Sequence, residues 1–137
     1  MPEFGATSKK RLKTCHPILQ KIFTVVIEEY GCTVMSGYRG EVEQNTLYAL
    51  GYSKLKYPLS YHNNANEEDK SESLAVDAAP DNGLWEATEK QWFMFAGIVK
   101  GVAKALGYKI TWGGDWNNNY IFNDQKFIDY AHFQLEL

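Results

Sequence analysis

One acid interrupts an otherwise apolar run, Leu74-Ala75-Val76-Asp77-Ala78-Ala79, which closes at Pro80. The run has the length and composition of a short buried strand, at residues 74–78. A carboxylate in such a strand is costly unless it is paired or bound to a metal. Asp77 therefore needs a partner from elsewhere in the chain. Backbone or arginine hydrogen bonds would satisfy it, and so would a metal ion; the run alone does not choose between them.

The remaining residues build one domain, 1–137, around that strand. A chain of 137 residues with 45% hydrophobic side chains can form a single core without disulfide or metal staples, and is not disordered. Thr7 and Ser8 are placed to cap a short basic helical segment at 9–14. Pro17 suits the first turn of a stronger helix and Gly31 its end. Between them Ile18, Leu19, Ile22, Phe23, Val26, Ile27 and Tyr30 recur at helical spacing and mark a core face. Residues 41–50 read as a second helix stopped by Gly51, and Thr88 opens a third that Gly107 ends. Short strands are expected at 32–36, 108–112 and 132–137, and residues 52–73 read as a polar surface loop. In the last strand Phe133, Leu135 and Leu137 share one face, while His132, Gln134 and Glu136 share the other. Helices and strands mix without βαβ repetition, which is an α+β pattern.

Charge and cysteine content narrow the function classes. Lys and Arg number 14 against 17 Asp and Glu, and the formal net charge of −3 is carried entirely by the patch Glu67, Glu68, Asp69, Lys70 and Glu72. No basic excess for nucleic-acid binding exists. Cys15 and Cys32 sit in apolar patterns and read as buried thiols, not as a disulfide framework or metal knuckle. The longest near-apolar stretch, 22–27, is too short to insert in a membrane. The N-terminus runs into Lys9, Lys10, Arg11 and Lys13 without the apolar core of a signal peptide, so synthesis and folding in a cytoplasm are expected.

Three histidines limit the acid–base and metal chemistry. His16 precedes Pro17 at a helix start and reads as a capping or packing residue. His62 lies in the polar loop ahead of the strand that carries Asp77. His132 opens the last strand in Asp129-Tyr130-Ala131-His132, where a short turn can return the acid beside the imidazole. Two imidazoles and one carboxylate would hold Zn2+ by three protein ligands and leave a fourth position for water, as in catalytic zinc sites. A spare carboxylate, Asp129, could then accept a proton from that water.

Taken in order, further segments carry a resemblance: Phe4-Gly5-Ala6-Thr7-Ser8, Ser36-Gly37-Tyr38-Arg39-Gly40 with Gln44, Ser60-Tyr61-His62, Ser73-Leu74-Ala75-Val76-Asp77-Ala78-Ala79-Pro80, Phe95-Ala96-Gly97-Ile98-Val99, Trp112-Gly113-Gly114-Asp115-Trp116 and Asp129-Tyr130-Ala131-His132-Phe133. Over nearly its whole length the chain resembles the zinc peptidases related to D-Ala-D-Ala peptidases and the hedgehog fold, and within them the phage endolysins that act as L-alanyl-D-glutamate peptidases. The resemblance implies a small, mainly antiparallel sheet packed with about three main helices. It implies His62, Asp77 and His132 as zinc ligands, Asp129 as general base, and Arg39 and Gln44 as the grip on a substrate carboxylate or carbonyl. Ser60 is a possible donor supporting the site; ordinary loop chemistry is its alternative. The implied substrate is the L-Ala–D-Glu bond of peptidoglycan stem peptides. The implied setting is phage-induced host lysis by a monomer made in the host cytoplasm, which reaches the periplasmic wall through a separate pore. A D-Ala-D-Ala carboxypeptidase or dipeptidase shares the same metal site, and a silent wall-binding module shares the same fold.

Two features depart from the pattern. His62 and Asp77 stand fifteen positions apart here, whereas the family places them about seven apart, an excess that a loop absorbs at small entropic cost. That excess holds the acidic patch, which could instead reshape the mouth of the cleft. The loop Asp115-Trp116-Asn117-Asn118-Asn119-Tyr120-Ile121 has oxygens spaced as in a calcium site, but Tyr120 stands where glycine is expected and Lys126 where glutamate would bind. Calcium regulation and an asparagine-rich turn are both open readings of this loop.

Overall fold

The computed structural model describes residues 2–81 and 86–137. Along the chain run α1 (Ala6–Leu12), α2 (Pro17–Glu29), β1 (Cys32–Ser36), α3 (Glu41–Ala49), a 3-10 turn (Tyr61–Asn63), β2 (Ala75–Pro80), α4 (Glu89–Ala105), β3 (Lys109–Trp112) and β4 (His132–Glu136). The four strands form one sheet in the order β1-β2-β4-β3, with every neighbouring pair antiparallel. The architecture is α+β, as expected.

Helices α2 and α4 cover one face of the sheet because each presents an unbroken apolar stripe to it. Leu19, Ile22, Phe23, Val26 and Ile27 of α2 meet Trp92, Phe95, Ala96, Val99 and Ala103 of α4, and Val76, Ala78, Phe133 and Leu135 rise from the strands between them. Phe133 sits at the centre, edge-on to Phe23 at 6.0 Å and to Phe95 at 5.6 Å between ring centroids. The helix ends follow local chemistry. Thr88 caps α4 with a reciprocal box to Gln91, and Gly51 and Gly107 adopt positive φ just beyond α3 and α4. His16 caps α2, its Nδ1 accepting from the Ile18 amide at 3.1 Å, so the capping reading of this histidine holds.

Thr7 and Ser8 behave differently from the caps expected of them. Helix α1 begins earlier, at Ala6, with Gly5 as its N-cap and no side-chain cap. Ser8 is buried within the helix, where its hydroxyl accepts from the Val34 amide of β1 at 3.0 Å. The hydroxyl satisfies a strand edge in place of a helix end. Residues 52–73 also gain local order, through the 3-10 turn and an antiparallel bridge between Ala65 and Ser71.

Both cysteines are free and buried. Burial, reinforced by Asp77 near Cys15 and Asp81 near Cys32, pushes each thiol up to about 12. The reactive thiolate is therefore almost absent at pH 8. Folded protein treated with iodoacetamide at that pH should carry no label by mass spectrometry, and the denatured chain should carry two, one for each cysteine. Rapid native labelling would contradict the packing around these residues.

Candidate active site

The site begins with strand register. Asp77 pairs directly with His132 across β2 and β4, and the next pair along, Val76 with Phe133, points the opposite way into the helix-covered core. Asp77 and His132 thus share the face that α2 and α4 leave open. His62 is brought over that face by the 3-10 turn, which Ser60 caps by accepting the His62 amide at 3.2 Å. The chain on either side of the turn is anchored by the Leu74 amide on the Tyr61 carbonyl and the Arg39 amide on the His62 carbonyl, at 2.9 and 2.8 Å.

Three side chains then converge. Asp77 Oδ1 lies 3.3 Å from His62 Nε2 and 3.5 Å from His132 Nδ1. One ligand atom from each residue falls within 4.8 Å of the others, and all three residues are buried. The outer nitrogen of each imidazole is engaged by an acceptor. His62 Nδ1 is 2.7 Å from the Gly37 carbonyl, which can only accept, so this nitrogen carries the proton and Nε2 presents its lone pair inward. His132 Nε2 is 2.8 Å from Gln134 Oε1. The orientation of that amide follows from Glu136, whose Oε1 takes the Gln134 Nε2 hydrogen at 2.8 Å while its Oε2 accepts from the Tyr61 hydroxyl at 3.0 Å. His132 accordingly donates from Nε2 and turns the lone pair of Nδ1 inward.

This donor set fits a divalent metal ion. His62 Nε2 and Asp77 Oδ1 are buried without any hydrogen-bond partner, an expensive condition for polar atoms unless something else satisfies them. Two neutral imidazoles and a carboxylate, each with its outer atom already held, are the ligand types and supporting bonds of a metal centre. Asp77 stays ionised. Burial alone would raise its pKa, but the positive charge that His62 and His132 carry when protonated, in the metal-free site, holds it well below the usual carboxylate range; a bound cation would act in the same direction. His132 is pushed upward in turn, because Asp77 would hold the protonated ring by charge and hydrogen bond more strongly than burial disfavours it.

Asp129 stands beside this group on the wall of a cleft of about 680 Å³ that His62, His132, Arg39, Ser60 and Trp116 also line. Burial, followed by the charge of Asp77, raises its pKa above the ordinary carboxylate value. Its position is set by backbone bonds. Its amide donates to the Gly113 carbonyl at 2.9 Å, and its carbonyl accepts from the His132 amide at 3.1 Å. Gly113 must be glycine for this approach, since a Cβ there would run into the Asp129 carbonyl.

The other expected residues take more varied places. Ser60 lines the cleft and orients His62 through the backbone. Arg39 also lines it, but commits Nη2 to Asp77 Oδ2 at 2.7 Å and Nε to Ser36 Oγ at 3.3 Å. Asp77 therefore has both partners that sequence reasoning weighed for it, arginine on one oxygen and the metal-type cluster on the other. Gln44 is fully buried behind the cleft wall, donating to Ser53 Oγ and the Leu55 carbonyl at 2.8 and 2.6 Å and accepting from Asn63 at 3.3 Å. Its role in this geometry is to brace the loop after α3 rather than to face a ligand. The acidic patch folds into the hairpin closed by Ala65 and Ser71, and none of it lines the cleft. In the asparagine-rich loop, Asn117 and Asn119 turn their amide nitrogens onto Asp124, and Asp115 Oδ2 accepts the Tyr120 amide at 2.9 Å, so these groups hold the turn itself.

Sequence reasoning missed Gly37, Gln134, Glu136 and Tyr61 as supports of the two histidines. The alternation His132-Gln134-Glu136 was the available signal, since one strand face can carry a chain of polar contacts. The Gly37 carbonyl left no comparable trace.

The comparisons with known proteins agree with this geometry. Over 128 residues, 90% of this chain and 88% of the relative, the sequence is 30% identical to the L-alanyl-D-glutamate peptidase of Escherichia phage T5. The crystal structure of the Serratia marcescens L-Ala D-Glu endopeptidase shares the fold, with a TM-score of 0.72 over 98% of this chain and 90% of that one at 24% identity. Residues 2–136 match the family described as phage L-alanyl-D-glutamate peptidase. The family match over residues 2–136, with a 30% identical relative aligned over most of both chains, places the chain in the family of phage L-alanyl-D-glutamate peptidases.

Proposed function

We propose that this peptidase hydrolyses the L-alanyl–D-glutamate bond of peptidoglycan stem peptides, with Zn2+ held by His62, Asp77 and His132 and with Asp129 as the proton carrier. The observation that carries the reading is the convergence of three buried ligand atoms, two of them without a partner, on one point in the cleft wall. Bound zinc would supply Lewis acidity, making water nucleophilic near neutral pH and polarising the scissile carbonyl.

The residues of the chain perform the remaining steps. Asp129 takes the proton as water adds to the alanyl carbonyl carbon, and returns it to the D-glutamyl nitrogen as the C–N bond breaks. An ionised base with a raised pKa suits both halves of that exchange. Arg39 holds the outer oxygen of Asp77 and keeps Oδ1 directed at the cluster. The hydrogen bonds from His62 to Gly37 and from His132 to Gln134 fix the ring orientations, so little reorganisation is required when metal binds. As an endolysin, the protein would be made in the host cytoplasm and would meet the wall after release through a separate pore.

Purified peptidoglycan digested with and without a chelator tests the assignment. New N-terminal D-glutamate should appear only in the metal-replete digest; release of terminal D-Ala would indicate a D-Ala-D-Ala carboxypeptidase. Asp129→Ala should lower turnover by about 10²–10⁴-fold while retaining about one metal ion per chain. His62→Ala should lose metal and activity together. Full activity in Asp129→Ala, or a metal-replete His62→Ala, would remove the corresponding role.

A milder change separates support from ligation. Gln134→Leu leaves all three ligands in place but removes the acceptor for His132 Nε2 and a donor to Glu136. Its metal affinity should fall about 10–100-fold, measured by competition with a chromogenic chelator. Unchanged affinity would show that the Gln134 contact does not tune the site.

A further inference from the structure

A glutamyl residue that continues the peptide through one carboxyl group keeps the other as a carboxylate. On the reading proposed above, the residue released at the cleavage point therefore brings a negative charge close to the scissile bond. The cleft must accommodate that charge next to Asp77 and Asp129. Arg39 and Gln44, the groups expected to grip it, are engaged elsewhere, Arg39 by Asp77 and Ser36 and Gln44 by the buried loop contacts.

Two other cations line the same cleft. Lys54 stands in the loop after α3, and Lys126 stands in the segment before β4; both are exposed. Lys54 Nζ lies 5.4 Å from the ring centroid of Phe127, the residue next to Lys126, and all three residues line the cleft. Among the described residues neither has a carboxylate partner. The chain as a whole is acidic, with a formal net charge of −3, yet these unpaired lysines are both turned to the groove beside the reacting centre. Phe127, itself part of the cleft lining, holds the Lys54 ammonium there by a cation–π contact.

We propose that Lys54 and Lys126 form the anion subsite that recognises the free carboxylate of the D-glutamyl residue, and that they set a preference for the acid over its amide. The amide of the same peptide has equal shape and no charge, so it isolates this interaction. The inference rests on the proposed cleavage position, and one experiment separates the two.

Two synthetic stem peptides, one with the free D-glutamyl carboxylate and one with its primary amide, would be cleaved by metal-loaded protein and followed by mass spectrometry. The wild type should show a KM for the acid about tenfold below that for the amide, and the gap should narrow as salt is raised. Lys54→Met/Lys126→Met should bring the two KM values together, and Lys54→Arg/Lys126→Arg should restore most of the difference. Equal KM values in the wild type, or a preference that survives the double methionine variant, would overturn the lysine subsite while leaving the peptidase reading intact. Failure of the metal-loaded wild type to cut either peptide between alanine and glutamate would overturn the cleavage position, and the subsite with it.

Discussion

The structure is organised around the cost of one buried charge. Asp77 lies in a strand whose residues are all buried, and its side chain is only 12% exposed, so water solvates it poorly. It is approached from two directions at once: Arg39 pairs with Oδ2 at 2.7 Å, and the imidazoles of His62 and His132 surround Oδ1, where a bound cation would complete its neutralisation. Removing Arg39 would leave the carboxylate without its fixed cation, which is more destabilising for a buried group than for an exposed ion pair. The partners come from three separate regions of sequence, so satisfying Asp77 also determines how the loop after β1, the 3-10 turn and β4 are arranged. Stability and site assembly are one constraint here.

Precision in such an arrangement comes from backbone, not from the reactive groups themselves. Gly37 offers its carbonyl to His62, and a Cβ on Gly37 would strike α1 at the Arg11 carbonyl, 2.6 Å away. Gly113 plays the matching part on the other side, bonded to both Asp129 and His132. Each glycine lets two chain segments approach more closely than a side chain would permit. The His62 ring is consequently oriented by a peptide carbonyl, while the His132 ring is oriented by the Gln134 side chain on its own strand.

Some of this was legible in the residues and some was not. Periodicity located α2, α4 and the strands because each has a single apolar face that must be buried, and the acid in 74–78 pointed to a liganded or paired group. Register was less visible. The direct pairing of Asp77 with His132 depends on how β2 and β4 align, and nothing in either segment states that alignment. Side-chain burial was likewise hidden: Gln44 on a polar helix reads as solvated or functional, yet it is fully buried because the loop around Leu55 folds over it. Ser8 was misread for a related reason, since a hydroxyl near a helix start serves a strand amide as readily as a helix amide.

The long separation between His62 and Asp77 loses its significance once the intervening chain is followed. Asn64 and Glu72 are bonded across the base of the acidic hairpin, with the Glu72 amide on the Asn64 carbonyl at 3.1 Å and the Asn64 side-chain amide on the Glu72 carbonyl at 2.9 Å. The Leu74 amide then returns to the Tyr61 carbonyl at 2.9 Å. The chain therefore leaves and re-enters the site region at nearly the same point, and the residues between add length without displacing either ligand. Because closure entropy rises only with the logarithm of loop length, the added residues cost little, and the hydrogen bonds within the hairpin offset part of even that. The spacing of the two ligands along the chain is thus weakly constrained, whereas the geometry at the base of the hairpin is strongly constrained. For this fold, the contacts that close an insertion say more about whether the metal-type site survives than the number of residues inserted.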